Sequence, residues 1–157
     1  MQTNQILRAI LTPLKFTPQE TLSLYTLVSF PMSEERLGAL LREGGDRDFK
    51  SCSFEELGAF LDGLILFKRG PSSKKTAEDT PTPLTNNLIL KKLRIALELK
   101  EPETEIIFSL GEAELSKQEL KSLFRKENHK NFKACSDALL MAFLEGLDEY
   151  YYDGTGD

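Results

Sequence analysis

Phe49-Lys-Ser-Cys-Ser-Phe-Glu-Glu-Leu-Gly-Ala-Phe-Leu-Asp-Gly-Leu64 returns 83 residues later as Phe132-Lys-Ala-Cys-Ser-Asp-Ala-Leu-Leu-Met-Ala-Phe-Leu-Glu-Gly-Leu147. The same offset runs back to Asn4 without a gap and yields 21 identities in 61 aligned positions. Asn4, Ile6 and Leu7 fall on Asn87, Ile89 and Leu90; Ser33, Leu37, Leu40 and Arg42 fall on Ser116, Leu120, Leu123 and Arg125. The chain is therefore read as a tandem duplication, which sets the architecture before any single helix is assigned.

Within the quoted stretch, Ser53 with Glu56 three residues on has the form of a capping box, in which each partner satisfies a free backbone N–H of the first turn. Phe54, Leu57, Phe60, Leu61, Leu64 and Ile65 follow at helical spacing and form a wide apolar face. Upstream, Ser33 opens a helix with the stripe Leu37, Leu40 and Leu41, and its copy opens at Ser116 with Glu119. Thr17, Pro18 and Glu20 open another, with Leu24, Leu27 and Val28 toward the core. The first helix runs from Asn4 to about Thr12, where Pro13 bends or ends it. Its copy covers Asn87 to about Leu99, with Lys91, Lys92 and Arg94 on the face opposite Ile89, Leu90 and Leu93. No segment alternates as a strand does, and the chain has a single valine. The fold expected is all-α: tandem four-helix repeats, packed together with pseudo-two-fold symmetry. Gly63 and Gly146 are equivalent mid-helix glycines. Each is unfavourable against alanine by about 1 kcal/mol, so another backbone passes close by, either inside each repeat or between the two.

The boundaries follow: 1–70 first repeat, 71–84 a Pro- and Ser-containing linker, 85–150 second repeat, 151–157 a fraying tail. A lone core of this size is marginal, so the repeats are expected to lean on each other. The 157 residues carry 20 basic and 25 acidic side chains, two cysteines and one histidine. That excludes a disulfide scaffold and a Cys-rich zinc module. There is no membrane-length apolar run and no signal-peptide pattern, and a cytoplasmic setting is expected. Residues 1–70 carry 8 basic and 9 acidic groups, and residues 87–157 carry 10 and 14. Neither repeat is broadly basic, so nucleic-acid binding would depend on a local patch.

Asn86-Asn-Leu-Ile-Leu-Lys-Lys-Leu-Arg-Ile-Ala-Leu97, His129-Lys-Asn-Phe-Lys-Ala-Cys135 and Phe143-Leu-Glu-Gly-Leu147 together resemble the YehS-like family, small bacterial proteins built from two copies of a domain of unknown function. The resemblance covers nearly the whole chain. The first repeat departs from it, with Asp46-Arg-Asp-Phe-Lys-Ser-Cys52 in place of the His-Lys-Asn-Phe motif. It implies a bacterial cytoplasmic origin and a helical tandem repeat, and no reaction, ligand or partner.

The segment joining the third and fourth helices is the most unusual. Arg125, Lys126, Lys130 and Lys133 surround His129 in the second repeat, and Arg42, Arg47 and Lys50 remain in the first. Such a loop beside Phe132 suits phosphate, nucleic acid or an acidic protein surface. The bland alternative is a solvated connection anchored by a buried Phe132, with arginine capping the last carbonyls of the third helix. His129 has no nucleophile or orienting acid near it in sequence, and Asp46 replaces it in the first repeat. Cys52 and Cys135 read as small buried thiols before a helix cap. No cofactor or metal is assigned. The short turns between second and third helices have helix-turn-helix spacing, with Lys117, Gln118, Lys121, Ser122 and Arg125 outward in the second repeat. The expected function is non-enzymatic binding of another macromolecule, a protein before a nucleic acid, through the basic loops or the inter-repeat groove, without membrane contact; the alternative is a nucleic-acid-binding regulator with helix-turn-helix-like elements.

Overall fold

The computed structural model describes residues 2–70 and 84–152. The linker at 71–83 and tail residues 153–157 lie outside the described residues, while Leu84, grouped with the linker by sequence, is buried. Among the described residues there are eight α-helices and no strand. The chain divides into two compact units at Leu84 and Thr85. In the first, α1 is Thr3–Leu14, α2 Pro18–Leu27, α3 Glu34–Leu40 and α4 Phe54–Arg69. In the second, α5 is Asn86–Ala96, α6 Glu101–Leu110, α7 Lys117–Leu123 and α8 Asp137–Tyr150.

The boxes read from sequence form as hydrogen-bonded pairs. Thr17 N donates to Glu20 Oε1 at 2.8 Å, and Glu20 N donates to the Thr17 hydroxyl at 3.1 Å. Ser53 and Glu56 do the same at 2.9 and 3.0 Å, and Ser116 and Glu119 at 2.9 and 3.1 Å. Pro13 does not end α1, which closes at Lys15 in the left-handed region. One turn from the end, a missing N–H removes a single helical bond, and the helix tolerates it.

In each unit the long fourth helix packs on the second and the first. Leu57, Phe60, Leu61, Leu64 and Ile65 of α4 are fully buried, as are Leu140, Phe143, Leu144 and Leu147 of α8. Gly63 and Gly146 make these crossings possible. A Cβ on Gly63 would run into the Leu24 carbonyl of α2, and one on Gly146 into the Ile107 carbonyl of α6. Both close approaches lie inside a repeat, so the glycines serve the fold of each unit. The second unit has a further contact of this kind, where Gly111 lies against the Ala142 carbonyl.

Four expectations about side chains are corrected. Leu27 is 47% exposed and Phe54 43% exposed. Each sits at a helix end, Val28 is half-buried, and Tyr25 is fully buried in their place. Leu41 is half-buried rather than buried. Lys92 does not share the outer face with Lys91; it is buried, at 3% exposure.

Candidate functional site

Two connections, residues 41–53 and 124–136, carry the basic residues singled out by sequence, and one asparagine governs each, Asn4 buried and Asn87 half-buried. Asn4 of α1 donates from Nδ2 to the carbonyls of Leu40 and Lys50, both at 2.8 Å, and its Oδ1 accepts from Cys52 N at 2.9 Å. Asn87 of α5 repeats the set with Leu123 and Lys133, both at 2.9 Å, and Cys135 N at 2.8 Å. An amide has two donor hydrogens and an acceptor oxygen, so one side chain ties the end of the third helix to the start of the fourth. Sequence reasoning counted this asparagine as an identity and gave it no role. The signal was available: Asn4 precedes Leu7 and Leu11 at helical spacing, a polar residue on an apolar stripe.

Between the tied ends the backbone makes the same turns in both repeats. Asp46 N donates to Glu43 O at 3.0 Å and Phe49 N to Asp46 O at 3.0 Å. The equivalents are His129 N to Lys126 O at 2.9 Å and Phe132 N to His129 O at 3.0 Å. Lys50 N reaches Ala39 O, and Lys133 N reaches Ser122 O. Asp46 Oδ1 accepts from Asp48 N at 2.8 Å, and His129 Nδ1 accepts from Asn131 N at 2.9 Å. His129 thus does locally what an aspartate does in a turn. That explains how Asp and His exchange at one repeat position.

The surroundings of the two arginines differ. Arg42 Nη1 lies 3.6 Å from Asp46 Oδ2, an ion pair four residues apart in the connection. Arg125 Nη1 lies 3.5 Å from His129 Nε2. Arg125 Nε is buried and has no hydrogen-bond partner. Arg125 lines a cavity of about 370 Å³ together with Lys133, Asn131, Phe132, Gln118 and Ser122, with Ser116 and Glu119 at the start of α7. Hydrogen bonds from Ser116 hold the Glu119 carboxyl below the usual carboxylate range, and its Oε2 lies 3.9 Å from Lys133 Nζ. Arg42, Arg47 and Lys50 belong to the other unit, and Lys126, His129 and Lys130 are exposed and line no part of this cavity. Phe132, expected to be a buried anchor, is half-buried, and so is Phe49; the asparagine does the anchoring instead.

In the first repeat the face equivalent to Glu119 holds Arg36, whose Nε and Nη2 donate to Glu56 at 2.9 and 3.0 Å. Burial by itself would push the Glu56 carboxyl up, but hydrogen bonds from Arg36 and Ser53 outweigh it and hold it low. Cys52 and Cys135 are free and buried, and burial pushes both thiols up to about 11. Thiols so placed are protonated at neutral pH and are poor nucleophiles.

Comparisons with known proteins agree with the internal repeat. The family model described as "Protein of unknown function (DUF1456)" matches residues 3–70 and again 86–151. The chain is 33% identical over 147 residues to the Uncharacterized protein YehS of Escherichia coli (strain K12), and the match spans 94% of each chain. No solved structure matches it. Among the described residues no helix is long and apolar enough to cross a membrane.

Proposed function

The chain belongs to the DUF1456 family of proteins of unknown function, and from that premise we propose that it is a non-enzymatic interaction module of the cytoplasm that binds another protein through its basic α3–α4 and α7–α8 connections. The observation that carries this reading is the asparagine tie. Each connection is held at both ends by hydrogen bonds of 2.8 to 2.9 Å, while Arg47, Lys50, Lys126, Lys130 and Lys133 remain exposed. A loop whose backbone is already ordered loses little further entropy when its side chains engage a partner.

The chemistry favours binding over catalysis. The His129 ring is occupied as a turn acceptor, and both thiols are buried and protonated. A protein partner is favoured over a nucleic acid by the net charge of −5, because phosphate contacts need an extended positive field. The seven-residue α7 is about 10 Å long, short for a helix that must reach base edges along a groove.

The test compares the full chain with the variant Arg47→Ala, Lys126→Ala, Lys130→Ala, three exposed positions that cap nothing. Both are used to capture partners from native cytosol, with and without nuclease. A protein retained after nuclease and lost with the variant supports the reading. Capture that the variant leaves unchanged overturns it, and capture that nuclease abolishes replaces it with the nucleic-acid reading.

A further inference from the structure

We propose that the second repeat, and not the first, carries a carboxylate-accepting pocket centred on Arg125, which takes an aspartate or glutamate side chain from the protein partner. The inference rests on the reading of the connections as a protein-binding surface and names the chemical group that surface recognises.

The two repeats supply the comparison. Arg42 and Arg125 occupy one repeat position, but Arg42 is neutralised by Asp46 at 3.6 Å. Asp46 is replaced by His129, which brings no negative charge. Because Asn131 N–H donates to Nδ1, the proton of the neutral ring belongs on Nε2. Nε2 is the atom 3.5 Å from Arg125 Nη1, so two donors face each other there. No carboxylate pairs with Arg125 among the described residues, and its buried Nε has no acceptor. A desolvated charged donor left unpaired is unfavourable. A carboxylate entering the cavity would pair with the guanidinium, and a small turn of the side chain would bring Nε, closed to solvent in this structure, into the side-on, bidentate geometry that guanidinium favours.

The pocket's own composition selects the ligand. Arg125 and Lys133 bring two positive charges, and Glu119, already occupied by the Ser116 N–H and facing Lys133, removes one. The single remaining charge matches one carboxylate and leaves a phosphate dianion uncompensated. Asn131, Gln118 and Ser122 line the space as neutral hydrogen-bonding groups, and half-buried Phe132 offers an apolar wall for the methylenes of a glutamate stem. The first repeat shows such a two-pronged contact at a different position, where Arg36 takes Glu56 of the same chain. Glu119 and Leu139 stand at those two positions in the second repeat, so this internal pair has no counterpart there.

The experiment follows arginine Nε–Hε resonances of the ¹⁵N-labelled full chain during titration with a tetraglutamate peptide. Inorganic phosphate and a single-stranded oligonucleotide are run at matched ionic strength. The expected result is a saturable shift of the Arg125 resonance with the peptide while Arg42 stays still. Arg125→Lys, which keeps charge but loses the fork, should weaken peptide binding at least tenfold. Lys133→Gln, a change at a half-exposed side chain, should weaken it severalfold with an unchanged Tm, and it carries the test should Arg125→Lys fail to fold. A shift that never saturates, equal shifts at Arg42 and Arg125, or tighter binding of phosphate or oligonucleotide than of peptide overturns the proposal. Peptide binding that survives Arg125→Lys and Lys133→Gln but is lost with Lys126→Ala, Lys130→Ala overturns the pocket alone and leaves the protein-binding reading standing. Peptide binding that survives all of these changes overturns both.

Discussion

Asn4 and Asn87 each hydrogen-bond three backbone groups from residues 36 to 48 positions away. Truncation of Asn4 would leave two carbonyls and one N–H unpaired in partly or fully buried positions, at roughly 1 kcal/mol or more apiece; at Asn87 one of the three bonds, to the Lys133 carbonyl, is exposed to water. Asn4→Ala should therefore lower stability by about 3 kcal/mol and Asn87→Ala by about 2 kcal/mol, measured by urea denaturation. Asn4→Asp should lose almost as much, because it keeps the acceptor for Cys52 N but has no donors for Leu40 and Lys50. A loss under 1 kcal/mol would show that the connection is held by other means. Tyr25 is the opposite case. It is buried, its hydroxyl has no partner, and Phe108 stands at its position in the second repeat. Tyr25→Phe is expected to be neutral or to stabilise by up to about 1 kcal/mol; clear destabilisation would reveal a hydrogen bond formed in solution.

Helix pairing in each unit depends on a glycine at the crossing. In Gly63→Ala and Gly146→Ala the new Cβ meets a main-chain carbonyl, which cannot rotate aside as a side chain would, so the helices must separate. Each substitution should destabilise by about 3 kcal/mol, whereas Gly38→Ala in α3, where the space is open, should stabilise by several tenths. The helix ends carry a second repeated device. Lys15 and Glu98, and Ser29 and Glu112, hold φ between 54° and 65° at equivalent positions. After Ser29, Glu98 and Glu112 the next N–H returns five residues to close the helix, at 3.0, 2.9 and 2.9 Å, a Schellman closure made without glycine. Glu98→Gly and Glu112→Gly should each raise Tm, with a gain of up to about 1 kcal/mol. The helix starts were legible in sequence because a capping box joins residues three apart. These left-handed ends were not, because Lys, Ser and Glu carry none of the signal that a terminal glycine would.

Stability of the chain as a whole should fall at alkaline pH. The Cys52 and Cys135 thiols are pushed up to about 11 by burial, against an unfolded value near 8.5. The folded state therefore holds these protons more tightly. Its advantage is complete below the unfolded value and is lost as pH rises toward 11. A Tm that declines between pH 8.5 and 11, and declines less when both cysteines are replaced by alanine, would bear this out; an unchanged slope in the double variant would reject it. The site was legible only in part. Arg42 and Arg125 look interchangeable in sequence, and so do the two connections. Their partners differ only where Asp46 or His129 turns toward the guanidinium.

The duplication, the all-helical fold and most helix starts were decided by the sequence alone, because each depends on relations among residues a few positions apart or on direct repetition. The tertiary structure alone decided that Asn4 reaches residues 36 to 48 positions away. It also decided that Gly63 meets α2, that Lys92 is buried while Leu27 is not, and that Arg125 lacks the partner Arg42 has. These outcomes turn on which groups the folded backbone brings within about 3 to 4 Å of one another, and hydrogen bonding, close packing and charge neutralisation act only at that range.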